Sequence, residues 1–169
     1  MNMEGDKYNM VPMPDLTFGL ADPRKAAEMT GLEKMQAIVR QDFPAPPIVE
    51  VTQQWIHEVG EGHVTFLGNP DPRYLNPMRL IHGGWTMTLL DSALGCAIQT
   101  VLKRGETFAT LGTEVKFLRP ILPSTGQVRC RAEIESRGTH TATASGRVED
   151  TKGRMLATGT TTCFIRNLL

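Results

Sequence analysis

Apolar and polar residues change period several times along this chain, and each change marks an element. Leu32, Met35, Ile38 and Val39 recur at helical spacing behind Thr30-Gly31-Leu32-Glu33, a capping-box pattern, so an amphipathic helix is expected there, ending before Pro44. Pro44, Pro46 and Pro47 make an extended connector, after which the apolar spacing becomes that of strands. These are expected near 48–59 and 63–69, turned at Gly60-Glu61-Gly62, where glycine permits positive φ. A rigid connection from Gly68 to Met78, carrying Pro70, Pro72 and Pro77, then leads to the longest apolar run. Trp85, Leu89, Leu90, Ala93, Leu94, Ala97, Ile98, Val101 and Leu102 leave that run almost no polar side. The helix it predicts, from about Gly83 to Lys103, should therefore be buried all round, with Lys103-Arg104-Gly105 as its cationic end and glycine stop. Strands are expected afterwards near 107–119, 126–136, 140–149 and 154–165, broken by Pro120 and Pro123, by Arg137-Gly138 and by Asp150 to Gly153. Strands gathered around one helix without βαβ alternation indicate an α+β fold.

The long helix combines two costly features. A glycine pair, Gly83-Gly84, stands at its start, and Asp91 is a lone carboxylate eight residues further on. Free N–H groups and the positive end of the helix dipole sit at such a start, and glycine lets a ligand atom approach that backbone. An N–H of Gly83 aimed at a carbonyl oxygen, with a carboxylate to activate water or to attack, is apparatus for acyl transfer. The alternative is that Asp91 caps neighbouring backbone or meets an arginine.

Asn76, His82-Gly83-Gly84 and Asp91, at spacings of six and nine from the histidine, resemble the signature of the hotdog-fold acyl-CoA thioesterases of the 4-hydroxybenzoyl-CoA and phenylacetate-pathway type. The likeness runs from about Trp55 to Ile165, includes Phe-Leu-Arg-Pro at 117–120, and leaves the first 48 or so residues outside. It implies an antiparallel sheet wrapped around one central helix, over 48–169, behind a tail and amphipathic helix at 1–47. It implies hydrolysis of an acyl-CoA, with Gly83 as oxyanion donor, Asn76 orienting the thioester or water, and Asp91 as nucleophile or general base. Gly84 is taken with its neighbour as backbone that meets the substrate. His82 either polarises the turn or caps the helix. A Ser or Thr on the strand after the helix lines the site in the resembling enzymes, and Thr110 aligns with it; a routine strand threonine is the alternative. Arg137-Gly138-Thr139 resembles the segment that contacts the pantetheine or nucleotide of coenzyme A, and an ordinary hairpin turn explains it equally well. No metal or redox cofactor is implied; coenzyme A enters as part of the substrate.

Gly83 and Asp91 are eight residues apart, hence ~12 Å along one helix axis at the ordinary helical rise. A nucleophile and an oxyanion donor must sit ~3 Å from the same reacting centre. If both groups are catalytic they come from different chains, as two antiparallel helices across a two-fold axis would supply them. The expected partner is therefore a second copy, in a homodimer or a tetramer built from dimers. Rival readings are a hotdog hydratase or dehydratase, which usually carries a catalytic histidine in a different glycine-proline pattern, and a non-catalytic acyl-CoA-binding or regulatory module.

Composition narrows the rest. At 169 residues the chain fits one domain with its own core. Lys plus Arg equals Asp plus Glu at 18 each, which gives no support for a nucleic-acid partner. Residues 1–102 carry 7 basic and 12 acidic side chains and 103–169 carry 11 and 6, so Lys103, Arg104, Arg119 and Arg137 are either phosphate contacts or an ordinary solvated face. Cys96, Cys130 and Cys163 are odd in number and widely spaced, as in a reducing cytosol. His57, His63 and His140 lack the one-turn spacing of a zinc site. No apolar run reaches the ~18 residues of a membrane span, and none near the start reads as a signal peptide, so a cytoplasmic location is expected. Met1 to about Asp22 lacks periodicity and reads as a tail that is loose or folded against the surface, with disorder the expectation.

Overall fold

The computed structural model describes residues 10–167. Helices α1 (Pro23–Ala27), α2 (Gly31–Val39) and α3 (Pro47–Thr52) precede strands β1 (Gln54–Gly60) and β2 (His63–Gly68). The long helix α4 (Gly83–Thr100) follows, then β3 (Glu106–Phe117), β4 (Val128–Arg137), β5 (Thr141–Glu149) and β6 (Met155–Asn167). All six strands form one antiparallel sheet in the order β1-β2-β4-β5-β6-β3. None of the described helices is long and apolar enough to cross a membrane.

The sheet wraps α4 because its inner positions are apolar or very small. Leu89, Leu90, Ala93, Leu94, Ala97 and Ile98 are fully buried against Val64, Val128, Cys130, Ala144, Val148 and Ile165. Gly146 and Gly159 let the helix settle close. A Cβ on Gly146 would lie 3.3 Å from a Leu94 methyl, and one on Gly159 3.3 Å from Leu90. At the other end, Gly31 starts α2 against α4: its N–H donates to Leu102 O at 2.9 Å, and a Cβ there would strike the Gln99 carbonyl. The Thr30–Glu33 capping box forms as its residues imply. The α+β class and the order of elements from β1 onward agree with the sequence; α1 is not expected from it.

Three expectations need correction. Residues 47–52 are helix rather than the start of a strand. Pro47 stands where a helix needs no N–H, and Gln53 turns left-handed at φ 55 to begin β1, so the β-branched Ile48, Val49 and Val51 fit one short helix. Val49 buries against Trp55, Leu67 and Ala45. The described part of the N-terminal tail is laid onto that second core rather than disordered. Val11, Met13, Leu16 and Phe18 pack there, Phe18 bridges to Ala45, and Val11 exchanges two hydrogen bonds with Gln127 at 3.0 and 2.7 Å. The start of the tail, residues 1–9, lies outside the described residues. Finally, α4 is not buried all round. Met87 and Asp91 are exposed, and Gly84, Thr88, Ser92 and Gly95 beside them are half-buried. The helix also stops three residues early, where the Thr100 hydroxyl takes the Ala97 carbonyl and receives the Gly62 N–H.

The β5–β6 turn is held by a charge. Asp150 is buried and accepts from the backbone N–H of Lys152 and Arg154 and from the Arg154 guanidinium at 2.6 Å. Burial opposes its ionisation, but these donors outweigh burial and hold the carboxyl below its usual range. A depressed native pKa contributes stability that is present above the unfolded value of about 3.9 and lost as pH falls through the native one. Asp150→Asn should cost about 1.5–3 kcal/mol at pH 7, with the gap to wild type closing as pH drops below that range. Urea unfolding at stepped pH reads both; a gap that persists in acid would show the charge to be irrelevant.

Candidate active site

The proline-rich connection before α4 is pinned at several points, which fixes where the helix begins. Tyr74 stacks on Trp85 with centroids 5.9 Å apart and donates its hydroxyl to Val51 O, while the Trp85 ring N–H donates to Thr52 O. Ile81 is buried, its N–H donating to Ile121 O, and the His82 N–H donates to Tyr74 O. Asn76 folds the loop inward: its Oδ1 accepts from the N–H groups of Met78 and Leu80 at 2.9 and 3.1 Å, with Arg79 left-handed at φ 60. Both acceptor directions of that oxygen are used, so the Asn76 side-chain NH2 is the group left to act on a ligand.

His82 is the N-cap of α4. Its Nδ1 accepts the Gly84 N–H at 2.8 Å, which occupies that ring nitrogen in capping and also commits the Gly84 donor. The capping alternative is thus the one realised for His82, and Gly84 has no N–H left to offer substrate. Gly83 differs. Its N–H has no acceptor among the described residues, and a Cβ there would lie 3.1 Å from the Phe117 ring, close enough to press on it. Asn76, Gly83 and Thr86 line one side of a cleft of about 390 Å³, walled opposite by Phe117, Leu118 and Arg119.

Asp91 is not part of that cleft. It lies two turns along α4, exposed, and its Oδ1 accepts from the Thr113 hydroxyl of β3 at 3.3 Å. Thr113 is backed by the Thr161 hydroxyl of β6 at 3.1 Å, and Thr161 also meets Gly112 O. Thr113, not Thr110, is therefore the strand threonine that orients the carboxylate. Thr110 turns to Cys163 Sγ at 3.7 Å, because a bulge between Thr110 and Gly112 shifts the strand's alternation. The residue missed by sequence reading was legible only through that bulge. For Cys96, five residues beyond Asp91, burial, with the Asp91 charge adding to it, pushes the thiol up to about 12, which disfavours the thiolate.

The basic segment after α4 is less free than its charge implies. Arg137 grips Glu106 through Nη2 at 2.6 Å to both carboxylate oxygens, and the Arg119 guanidinium donates to Met155 O. The Arg137 hydrogen bond, against the burial of the site, holds the Glu106 carboxyl below its ordinary range. Gly138 donates to Thr141 O, and Thr139 is exposed in the same turn, so 137–139 is a hairpin whose arginine ties β4 to the start of β3. Lys103 and Arg104 remain exposed beside it.

One edge of the sheet stays uncovered by the described residues. Among them β3 pairs only with β6, and along it Leu111 is 66% and Phe117 55% exposed, beside the open stripe of α4 that carries Met87 and Asp91. The chain alone therefore presents a helix-start N–H without an acceptor among the described residues and an exposed carboxylate two turns further along the same helix, next to an apolar edge strand.

Residues 78–157 match the family model of the thioesterase superfamily. Among solved structures, the chain is similar to a phenylacetic acid degradation-related protein from Ralstonia eutropha JMP134, at 26% identity and TM-score 0.70 over 77% of this chain and 98% of that one. It is also similar to the TT0310 protein from Thermus thermophilus, at 28% identity and TM-score 0.63 over 70% and 96%. The PaaI protein of the E. coli phenylacetic acid degradation operon, at 17% identity and TM-score 0.69 over 80% and 95%, shares the fold. No curated protein matches the sequence.

Proposed function

Residues 78–157 belong to the thioesterase superfamily, and from that premise we propose that this thioester hydrolase cleaves an acyl-CoA to a carboxylic acid and coenzyme A in a site shared by two copies of the chain. The observation that carries the proposal is the division of labour along α4. The Gly83 N–H, without an acceptor among the described residues, opens on a cleft, and the Thr113-oriented carboxylate of Asp91 faces outward two turns away.

With two α4 helices antiparallel, the thioester carbonyl of a bound acyl-CoA accepts from the Gly83 N–H of one copy while Asp91 of the other faces the carbonyl carbon. Asp91 takes a proton from water as the oxygen adds to that carbon. The oxyanion forms against the Gly83 N–H, in the field of the helix start, where a preformed donor is most effective. Collapse expels the coenzyme A thiolate, which recovers the proton. The NH2 of Asn76, in the same cleft as Gly83, positions the thioester or the water. An exposed apolar β3 edge supports pairing of copies along that strand.

The test is release of free thiol from a panel of acyl-CoAs. Turnover supports hydrolysis, whereas tight binding without thiol release would make the chain an acyl-CoA-binding module.

A further inference from the structure

Resting on the thioester-hydrolase reading above, we propose that the Thr86 hydroxyl holds the pantetheine arm of the substrate, donating to the carbonyl of the amide that follows the thioester sulfur. Thr86 is 3% exposed, stands three residues beyond Gly83 on α4, and lines the same cleft. A threonine within a helix ordinarily satisfies its hydroxyl on a carbonyl of the preceding turn. Thr88 does so on Gly84 O at 2.9 Å, and Thr100 on Ala97 O at 2.7 Å. Thr86 differs, because its hydroxyl has no hydrogen-bond partner among the described residues. Its oxygen is not sealed from the surface, and the cleft is the surface that Thr86 lines. A hydroxyl taken out of water without a partner is costly, and a ligand acceptor that reaches it recovers the bond.

Its place on the helix selects the part of the substrate it meets. Thr86 stands ~4.5 Å along the axis from Gly83 and on the same face, with its side chain leaning back toward the helix start. The Gly83 N–H points out of that start, away from Thr86, so an oxygen held ~2.9 Å beyond it is outside the ~3.2 Å reach of the hydroxyl. The next acceptor on the carrier side of an acyl-CoA is the first amide carbonyl of the pantetheine arm. Its carbon is four bonds from the sulfur, ~5 Å in an extended chain at ~3.8 Å per three bonds. The lining of the cleft favours that arm over the acyl group. Beside its apolar members it carries the Asn76 amide, the Thr86 hydroxyl and the Arg119 guanidinium, and no carboxylate. Amide carbonyls, with phosphates at the far end, match such a set of donors, whereas a hydrocarbon acyl chain uses none of it.

The test uses two small thioesters of one acid, the acid released fastest from the panel of acyl-CoAs. The N-acetylcysteamine thioester keeps the amide, and the S-pentyl thioester is its length-matched analogue without one. Wild-type kcat/KM should favour the N-acetylcysteamine thioester by about 10-fold or more. Thr86→Val keeps the shape of the side chain and should bring that ratio to about one, whereas Thr86→Ser, which keeps the hydroxyl, should retain most of it. Thr86→Val should also unfold no earlier than wild type, since it gives up no hydrogen bond among the described residues. If no acyl-CoA releases thiol, the hydrolase reading falls. If acyl-CoAs are hydrolysed but the wild type does not prefer the amide-bearing thioester, the contact with the pantetheine arm is overturned, and this arm needs no variant. An amide preference that survives in Thr86→Val, or in Thr86→Ala should the valine variant fail to fold, overturns Thr86 as the residue that makes the contact.

Discussion

Asparagine in place of Asp91 should lower kcat on the order of 100-fold or more while KM changes little. The substitution keeps the volume, and the amide oxygen still accepts from the Thr113 hydroxyl, which now meets Asp91 Oδ1 at 3.3 Å. What is lost is the anion, and only a step that takes up a proton or attacks carbon needs it. The structure sharpens this expectation. Asp91 is exposed on its own chain and makes no ion pair among the described residues, so its removal should leave stability within about 0.5 kcal/mol of wild type. A drop in turnover with an unchanged unfolding midpoint would place the residue in the chemistry. Near-normal turnover by the folded variant would return it to an ordinary surface carboxylate.

The sequence made the fold legible where one periodicity ran long enough. The apolar run from Trp85 to Leu102, the capping box at Thr30 and the Gly60–Gly62 turn each placed an element to within a few residues. Residues 48–52 were misread because β-branched side chains favour strands in general, whereas Pro47 and the left-handed Gln53 decide the matter locally. The tail was misread because its contacts, such as Val11 with Gln127, lie more than a hundred residues away and leave no local pattern. Asp91 looked buried because the open stripe of α4 carries, besides it, only an apolar Met87 and the small Gly84, Thr88, Ser92 and Gly95, none of them charged. Thr113 escapes the sequence because counting residues cannot detect the bulge that lies between it and Thr110. Arg137 looked like a free cation because its partner, Glu106, stands 31 positions earlier.

Complementation between two inactive variants should recover about a quarter of wild-type activity, and this outcome tests the shared site directly. Gly83→Pro removes the proposed oxyanion donor. Proline is tolerated at a first helical position, the preceding His82 already has an extended backbone at ψ 134, and the lost N–H has no acceptor among the described residues. The Phe117 ring, half-exposed at the end of β3, must give way by a few tenths of an ångström, which circular dichroism and the unfolding midpoint will register if it cannot. Loss of one such donor costs roughly 2.7–4 kcal/mol in the transition state, so this variant and Asp91→Ala should each be nearly inactive alone. In a mixed dimer the glycine of the Asp91 variant faces the aspartate of the Gly83 variant, so one site is whole and the other lacks both groups. Co-refolding equal amounts makes about half of the dimers mixed, each with one working site of two. Recovery to about a quarter follows only if each site draws on both chains. Mass spectrometry shows whether mixed dimers form; if they form and activity stays absent, Asp91 and Gly83 do not act across an interface, and the ~12 Å between them on one helix leaves no way for both to serve a single carbonyl.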